Sequence, residues 1–330
     1  MMTLGLHFLM MTRDTSINLR DVTVTRVTRL RYTSAISYFF AFCTLVNVVL
    51  PADPQEALLD DTGARFVQWL YEQDLPKYHG TLVFAAISDY FPRCELRTVR
   101  RMLKGWERLE PPSAAFPVPA LFLCFILYEL LLGGNFGKTG SWEIKVQLAV
   151  YALLLFHGLF RPVEILLLDR TSFQLLNGRI LVRVRGKTEI RFNRPAVAVK
   201  VNDPFLYLLL EELLRLRGER PLFFSSGNTF TRFCKIVADF WPYFPRLTPY
   251  SFKRGGASHL FRILQAYDPI VEQGRWDSVT AARRYIDAAN ADQILFQLTP
   301  AFRARFQHAR DQLRQFSERG GGVGSSTLFD

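Results

Sequence analysis

Apolar and polar positions follow two different periods along this chain, and the helical period comes first. Residues 1 to 27 show no clear periodicity and predict a flexible arm. From about residue 28 to 110 the apolar side chains recur every three or four positions, in four separate pieces. In the second piece Phe66 and Leu70 share one face, and Asp60-Asp61-Thr62 is predicted to cap its start. This region therefore predicts a small helical domain.

A proline-rich segment follows this helical region. Residues 111 to 119 contain four prolines, which predict a stiff and extended linker. After the linker, the apolar spacing predicts two helices, at about residues 120–132 and 142–159. The domain boundary is therefore predicted within residues 111 to 119.

The period then changes to that of strands. Asn177-Gly178 is a hairpin-turn dipeptide, and residues 179 to 185 alternate between apolar and polar. A second turn at Gly186-Lys187 precedes two further short strands, at residues 190–192 and 196–201. These segments predict a small antiparallel sheet.

Helical spacing returns after the sheet. The predicted helices cover about residues 204–216, 229–240, 251–264, 269–273 and 279–289, and a last one begins at Thr299. Residues 319 to 330 are rich in glycine and predict a flexible tail. The predicted fold class is therefore mainly α with a small antiparallel β-sheet, arranged as a helical domain (28–110) and a mixed second domain (120–318).

The charge of the chain favours a polyanionic partner. Lys and Arg number 41 against 30 Asp and Glu, which gives a net charge of +11. This excess indicates DNA or RNA first and an anionic membrane surface second, while a basic soluble protein without such a partner stays open. With 49% hydrophobic and 22% charged residues the composition is globular.

Neither the cysteines nor the apolar stretches suggest a secreted or membrane protein. The four cysteines form no CxxC pair, so we expect no zinc site, no disulfide framework and a reducing compartment. Residues 34 to 50 lack charges over 17 positions, but the apolar spacing favours a buried helix over a membrane span. Residues 1 to 11 lack a basic region ahead of their apolar run, so we expect no signal peptide.

Three short motifs stand far apart in the chain. Trp276 and Tyr285 lie nine positions apart, and Lys253 lies 23 residues before Trp276, on a predicted helix. Upstream, Gly158-Leu159-Phe160-Arg161-Pro162-Val163-Glu164 carries an Arg-x-x-Glu pair. Together these motifs resemble the catalytic domain of the tyrosine recombinases, the phage-integrase and Cre-like family. The resemblance implies a helical core-binding domain followed by a catalytic domain, and a chain that originates from a mobile element.

The resemblance implies a role for each motif residue. Arg161 would hold two phosphate oxygens and Glu164 would orient it, although a simple helix-start ion pair explains the same spacing. Lys187, at a hairpin turn, would protonate the leaving 5′ oxygen, although hairpin tips often carry solvated lysines. Trp276 would donate its one N–H or simply fill the core, and Tyr285 would be the nucleophile.

One motif departs from the family. Where the family has His-x-x-Arg, this chain has Tyr250-x-x-Lys253. Tyr250 forms hydrogen bonds but does not readily take a proton near neutral pH, and Lys253 keeps the charge without the bidentate fork. Arg254 is adjacent, but neighbouring side chains on a helix point about 100° apart, from 3.6 residues per turn.

The resemblance also implies partners. We expect double-stranded DNA as the substrate, with no metal and no cofactor, and a homotetramer acting on two duplexes. The cations Arg97, Arg100, Arg101 and Lys104 lie on one predicted helix and are candidates for phosphate contacts or, equally, for a solvated face. The apolar stripe of Phe302, Phe306 and Leu313 would either dock on a neighbouring protomer, as in the family, or cover its own domain. The expected location is the nucleus in a eukaryote and the cytoplasm or nucleoid otherwise.

Three hypotheses therefore compete. The first is an enzyme that breaks and rejoins DNA through a 3′-phosphotyrosyl bond. The second is a degenerate relative that binds DNA without cutting it, because Tyr250 and Lys253 replace the expected pair. The third is an all-helical adaptor or membrane-associated protein, and it leaves the spacing of Arg161, Trp276 and Tyr285 unexplained.

Overall fold

The computed structural model describes residues 24–110, 115–134, 136, 140–185, 195–240, 247–320 and 326–329. The chain divides into two compact units, Met1–Ser113 and Ala114–Asp330, and the division falls inside the predicted proline-rich linker. The described part is mostly helical with one small antiparallel sheet, which confirms the predicted fold class.

The described residues of the first unit form four long helices. They are α1 (Arg26–Leu45), α2 (Glu56–Glu72), α3 (Lys77–Tyr90) and α4 (Arg97–Leu109). Phe39, Phe66, Leu70 and Val83 are among the side chains that form its core. Burial of apolar surface on one face of each helix stabilises this bundle.

The predicted cap at Asp60-Asp61-Thr62 is wrong, because α2 already begins at Glu56. The Asp60 carboxylate instead accepts the backbone N–H groups of Thr98 and Val99, at 2.9 and 3.0 Å, in the first turn of α4. Burial raises the pKa of Asp60, but these bonds outweigh it, so the net pKa lies below its usual value. Asp60 therefore caps a helix that lies far from it in sequence.

Helix α4 is amphipathic in the predicted way. Val99, Leu103 and Trp106 are buried, whereas the four cations proposed to face phosphates are all exposed: Arg97, Arg100, Arg101 and Lys104. Arg97 is paired with Glu95 at 2.7 Å. The helix therefore presents its cations to solvent, and their contact with DNA stays a prediction.

The uncharged stretch at residues 34 to 50 belongs to the first core. Its residues up to Leu45 form the second half of α1, which buries Phe39, Phe42 and Cys43 against α2 and α3. In the part of the chain that the structure describes, no helix has both the length and the apolar character needed to cross a membrane.

The second unit has a larger hydrophobic core. Its elements are α5 (Ala120–Tyr128), α6 (Trp142–His157), α7 (Pro162–Leu166), β1 (Phe173–Leu176), β2 (Arg179–Val184), β3 (Val197–Val201), α8 (Pro204–Arg217), α9 (Asn228–Phe240), α10 (Pro249–Leu264), α11 (Asp268–Gly274), α12 (Val279–Arg283), α13 (Ala288–Gln297) and α14 (Pro300–Arg319). A π-helical segment at Glu129–Gly133 extends α5. Helix α6 lies at the centre, with Tyr151 and ten further residues buried along it.

The sheet has the order β1-β2-β3, and both pairs are antiparallel. Asn177 and Gly178 join β1 to β2 with φ of 47° and 78°, as the predicted hairpin turn requires. The pairing of Ile180 with Val201 sets the register of β2 against β3. The predicted turn at Gly186-Lys187 and the predicted strand at residues 190–192 lie outside the described residues.

Two glycines allow α10 to pack against its neighbours. A Cβ on Gly255 would collide with the backbone of Val118, whose N–H donates to the carbonyl of Ser251 at 3.0 Å. A Cβ on Gly256 would collide with the carbonyl of Phe156 in α6. The pair therefore brings the first turns of α10 close to the end of α6, where the Arg-x-x-Glu motif begins.

The apolar stripe of α14 covers its own domain. Phe306 and Leu313 are fully buried, and the Phe306 ring lies 4.7 Å from that of Phe125 in α5. Of the two alternatives left open by the sequence, the structure therefore shows the second. Docking of this stripe on a neighbouring protomer would expose the face of α5.

The predicted flexible tail contains one well-packed segment. Leu328 and Phe329 are buried, and Phe329 lies against Phe205 with ring centroids 5.6 Å apart. The carbonyl of Leu328 accepts from the thiol of Cys124 at 3.4 Å. The expectation of flexibility is therefore wrong for residues 326–329, because two large apolar side chains reach the core.

Candidate active site

The Arg-x-x-Glu motif forms where α6 ends. Leu159 adopts a left-handed backbone with φ of 48°, and α7 begins at Pro162 with Arg161 as its N-cap. The buried Glu164 carboxylate accepts from the backbone N–H of Arg161 at 2.7 Å and from its Nη1 at 2.9 Å. Glu164 therefore forms an ion pair with Arg161 at the start of α7, which fits both alternatives left open by the sequence, while the Arg161 side chain stays 42% exposed.

A second arginine, which the sequence analysis missed, also binds Glu164. Arg275 donates from Nη2 to Oε2 of Glu164 at 2.6 Å, and its guanidinium lies 4.8 Å from the centre of the Phe160 ring. It also donates to the carbonyls of Gln273 and Leu159, at 3.2 and 3.4 Å. The only hint in the sequence is its position next to Trp276.

The two arginines keep Glu164 ionised. Burial raises the pKa of this carboxyl, but the charge of Arg275, the N–H of Arg161 and the charge of Arg161 outweigh burial. The net pKa lies below its usual value, so Glu164 is an anion at neutral pH. The buried carboxylate of Glu164 thus lies between two guanidinium groups and holds these three residues together.

Lys253 lies on the first turns of α10, where the charge of the Glu164 carboxylate acts on it. Its side chain is fully buried, and its Nζ lies 4.8 Å from the centre of the Trp276 ring and 5.4 Å from that of Tyr285. The Nζ has no hydrogen-bond partner within the described residues. Such a buried and unpaired amine is unusual, because burial of a polar group without a partner costs stability.

The surroundings of Lys253 lower its pKa from the ordinary value to about 7. Burial is the largest cause, the charges of Arg275 and Arg161 act in the same direction, and Glu164 opposes them. Near neutral pH this amine is therefore poised between its charged and neutral forms.

Trp276 and Tyr285 lie in contact, with ring centroids 4.8 Å apart. Trp276 packs with Leu159, Ala257 and Ile270 in a small separate core, and its Nε1 is buried without a hydrogen-bond partner among the described residues. The sequence left core and donor roles open for Trp276, and its position permits both.

Tyr285 does not lie on a helix. The predicted helix at residues 279–289 is interrupted, since α12 ends at Arg283 and α13 begins at Ala288. The backbone N–H of Asp287 donates instead to Oγ of Ser258 in α10, at 2.8 Å. This bond ties the turn that carries Tyr285 to the helix that carries Lys253.

The remaining candidate residues are distributed unevenly. Tyr250 is half-exposed, and burial followed by the nearby Tyr285 raises its pKa. Arg254 binds the turn that carries Tyr285, because its guanidinium donates to the carbonyl of Arg284 and the carboxylate of Asp287. Lys253, and not Arg254, therefore joins the cluster, while Lys187 lies outside the described residues.

The cluster combines two arginines on Glu164 with two donors that lack hydrogen-bond partners among the described residues and lie against the ring of Tyr285. Arg161 is partly exposed, and the Nζ of Lys253 and the Nε1 of Trp276 have no partner in the described part of the chain. Such an arrangement suits an anion with several oxygens, such as a phosphate. The described residues contain no group of three or more His, Cys, Asp or Glu that could hold a metal ion.

Three solved structures are similar to most of the chain. A lambda integrase dimer bound to a COC' core site has a TM-score of 0.57 at 13% identity, over 82% of this chain and 92% of that one. The Tn1549 transposon integrase in complex with transposon right end DNA has a TM-score of 0.53 at 12% identity, over 84% and 95%. The XerH site-specific recombinase bound to palindromic difH substrate, a post-cleavage complex, has a TM-score of 0.51 at 15% identity, over 77% and 73%.

These likenesses show that the second unit has the fold of a tyrosine-recombinase catalytic domain. No protein-family model and no curated protein matches the sequence. At identities of 12 to 15% the likeness concerns the fold, so the chemistry must be argued from the site itself.

Proposed function

We propose that this chain breaks and rejoins double-stranded DNA, as a site-specific recombinase or integrase, with Tyr285 as the nucleophile. One observation carries the proposal: Lys253 and Trp276 each present a buried donor without a described hydrogen-bond partner, both lie against the ring of Tyr285, and the charge of Arg161 acts on Lys253. Buried donors are nearly always paired in native proteins, so a phosphate oxygen is a natural partner for these two.

The proposed reaction is a transesterification. The hydroxyl oxygen of Tyr285 attacks the scissile phosphorus, the bond to the 5′ oxygen breaks, and a 3′-phosphotyrosyl bond forms. The tyrosine gives up its proton, and the leaving oxygen takes one up to become a 5′ hydroxyl. Arg161 and protonated Lys253 would stabilise the extra negative charge of the transition state. Because the new bond preserves the phosphodiester, a 5′ hydroxyl can later reverse the step and rejoin the strand.

Duplex DNA is the proposed partner, and the exposed cations of α4 are proposed to contact its backbone. The solved lambda integrase, Tn1549 integrase and XerH structures are DNA complexes, and the first is a dimer. We extend this to a homotetramer on two duplexes as part of the same proposal.

The second candidate function is DNA binding without cleavage. Tyr250 and Lys253 favour it, because neither supplies the histidine or the bidentate guanidinium of the family. The pKa of about 7 for Lys253 also means that part of the population lacks this positive charge at neutral pH.

One experiment tests both candidates. Duplexes that bind the wild-type chain are selected from a random-sequence pool, nicked within the bound region, and incubated with protein to trap a covalent adduct on a denaturing gel. We expect an adduct with the wild type, none with Tyr285→Phe despite unchanged binding, and an undiminished adduct with the matched control Tyr267→Phe.

The repaired variant Tyr250→His/Lys253→Arg separates the two candidates. If Lys253 is an impaired catalytic residue, this variant should form more adduct than the wild type. Salt-sensitive binding with no adduct from either protein would favour the second candidate. A failure to enrich any duplex would refute both.

A further inference from the structure

Arg275 occupies a strained backbone position at the edge of the site. It follows the last turn of α11 with φ of 54°, a left-handed conformation that residues other than glycine seldom adopt. Its side chain is only 13% exposed. A strained residue of this kind persists where the surrounding contacts determine its conformation, and such residues cluster at functional sites.

The contacts of Arg275 leave little of its guanidinium for a ligand. Its Nη2 binds Glu164 at 2.6 Å, its Nη1 binds the carbonyl of Gln273, and the plane lies over Phe160. These acceptors belong to the protein, so Arg275 is poorly placed to hold a phosphate directly. It acts on Arg161 through Glu164, whose two carboxylate oxygens both accept hydrogen bonds from Arg161.

We propose that Arg275 is a positioning residue: its guanidinium fixes the Glu164 carboxylate, and through that carboxylate it holds Arg161 toward the substrate. Only the last step, toward a DNA phosphate, rests on the proposed function. The arrangement of Arg275, Glu164 and Arg161 is a property of the folded chain.

The same charges act on Lys253, which provides a reporter. The groups that shift its pKa after burial are Arg275 and Arg161, which lower it, and Glu164, which raises it. Removal of the Arg275 charge should therefore raise the pKa of Lys253 above about 7, whereas removal of the Glu164 charge should lower it. A merely loosened fold would admit water and raise the pKa in both variants.

The test follows the titration of Lys253 by NMR, with lysine labelled at Cε and the resonance assigned by its loss in Lys253→Arg. The free protein is compared with Arg275→Gln, Glu164→Gln and Arg275→Lys. Arg170→Gln is the matched control, since Arg170 also donates to backbone carbonyls, those of Leu214 and Gly218, but away from these residues.

We expect opposite shifts of roughly one pH unit in Arg275→Gln and Glu164→Gln, and none in Arg170→Gln. Arg275→Lys should leave the titration near that of the wild type because it keeps the charge. Equal upward shifts in both neutral variants, or no shift in Arg275→Gln, would overturn the proposal. If Arg275→Gln does not fold, the rate of adduct formation by Arg275→Lys tests the proposal instead.

That measurement is the rate of adduct formation on the selected nicked duplex. Arg275→Lys retains the charge but loses the planar fork, so we expect at least a tenfold slower rate at unchanged duplex affinity. An unchanged rate would refute positioning. If the wild type forms no adduct, the proposed function fails, while the NMR titration still decides whether the charges of Arg275 and Glu164 act on Lys253 in the folded chain.

Discussion

The two halves of the candidate site differ in how their polar groups are satisfied. In the carboxylate half, Arg161, Glu164 and Arg275 form charged hydrogen bonds of 2.6 to 2.9 Å. In the aromatic half, Lys253 and Trp276 have buried nitrogen atoms without partners in the described chain. The polar groups of the carboxylate half are satisfied within the folded protein. Those of the aromatic half are not, and the rest of the fold offsets the free energy that their burial costs. This contrast indicates that an anionic ligand would bind in the aromatic half.

The largest expected effect comes from breaking the carboxylate half. Glu164→Gln leaves Arg275 buried without its counter-charge, so we expect a loss of about 3 to 5 kcal/mol in the free energy of unfolding. Urea unfolding followed by circular dichroism measures it. Glu95→Gln removes the exposed partner of Arg97, in an ion pair that water screens, and should cost far less than Glu164→Gln. Equal losses in the two variants would show that the buried carboxylate has no special structural role.

Substitution of Lys253 in the aromatic half should raise the free energy of unfolding instead of lowering it. Lys253→Met removes a buried amine that lies over two rings but has no hydrogen-bond partner among the described residues, so we expect a gain of about 1 to 3 kcal/mol at pH 7, together with weaker DNA binding. Lys200→Met, at an exposed lysine of β3, should leave stability unchanged. A destabilised Lys253→Met would mean that the amine is satisfied in the fold after all.

The pH dependence of stability sharpens this contrast. The pKa of Lys253 is lowered from 10.5 to about 7 in the folded chain, so between these values the unfolded state binds more protons. The contribution of Lys253 to the free energy of unfolding therefore rises with pH between about 7 and 10.5. This contribution is lost as the pH falls back through that range to about 7. The difference in unfolding free energy between wild type and Lys253→Met, measured across this range, isolates the effect. A constant difference would contradict the lowered pKa.

The smallest expected effect concerns charges outside the site. Arg101→Ala/Lys104→Ala on α4 should weaken duplex binding by about 1 kcal/mol and reduce the salt dependence of log K by roughly 0.9 for each DNA phosphate that the variant no longer neutralises. The titration of Lys253 should not change. Arg215→Ala removes another exposed arginine, which is paired with Glu212, and serves as the control. An unaltered salt dependence would leave the α4 cations as a solvated face.

Local patterns in the sequence were sufficient for most of the fold. The hairpin at Asn177-Gly178 and the amphipathic face of α4 depend on neighbouring residues, and both were predicted. The break at Tyr285 was not, because it depends on a bond from Asp287 to Ser258, which lies 29 residues earlier. Likewise Asp60 caps α4 across 38 residues, and no local pattern reveals such a contact.

The site was predictable only in part, for the same reason. The motifs in the sequence contained two pairs of residues that are in contact in the structure, Arg161 with Glu164 and Trp276 with Tyr285. Arg275 escaped notice because its partner, Glu164, is 111 positions away. The sequence left Lys253 and Arg254 as rivals, and the geometry separates them, since Arg254 is held by Asp287.

The central claim is that the aromatic half receives a phosphate of DNA. The most direct measurement is the pKa of Lys253 with a selected, uncut duplex bound, using Tyr285→Phe to prevent cleavage and NMR of Cε-labelled lysine. An anionic phosphate beside the amine favours its charged form, so the account predicts that the pKa rises from about 7 by roughly one pH unit or more. A pKa that stays near 7 on saturation with the duplex would contradict it.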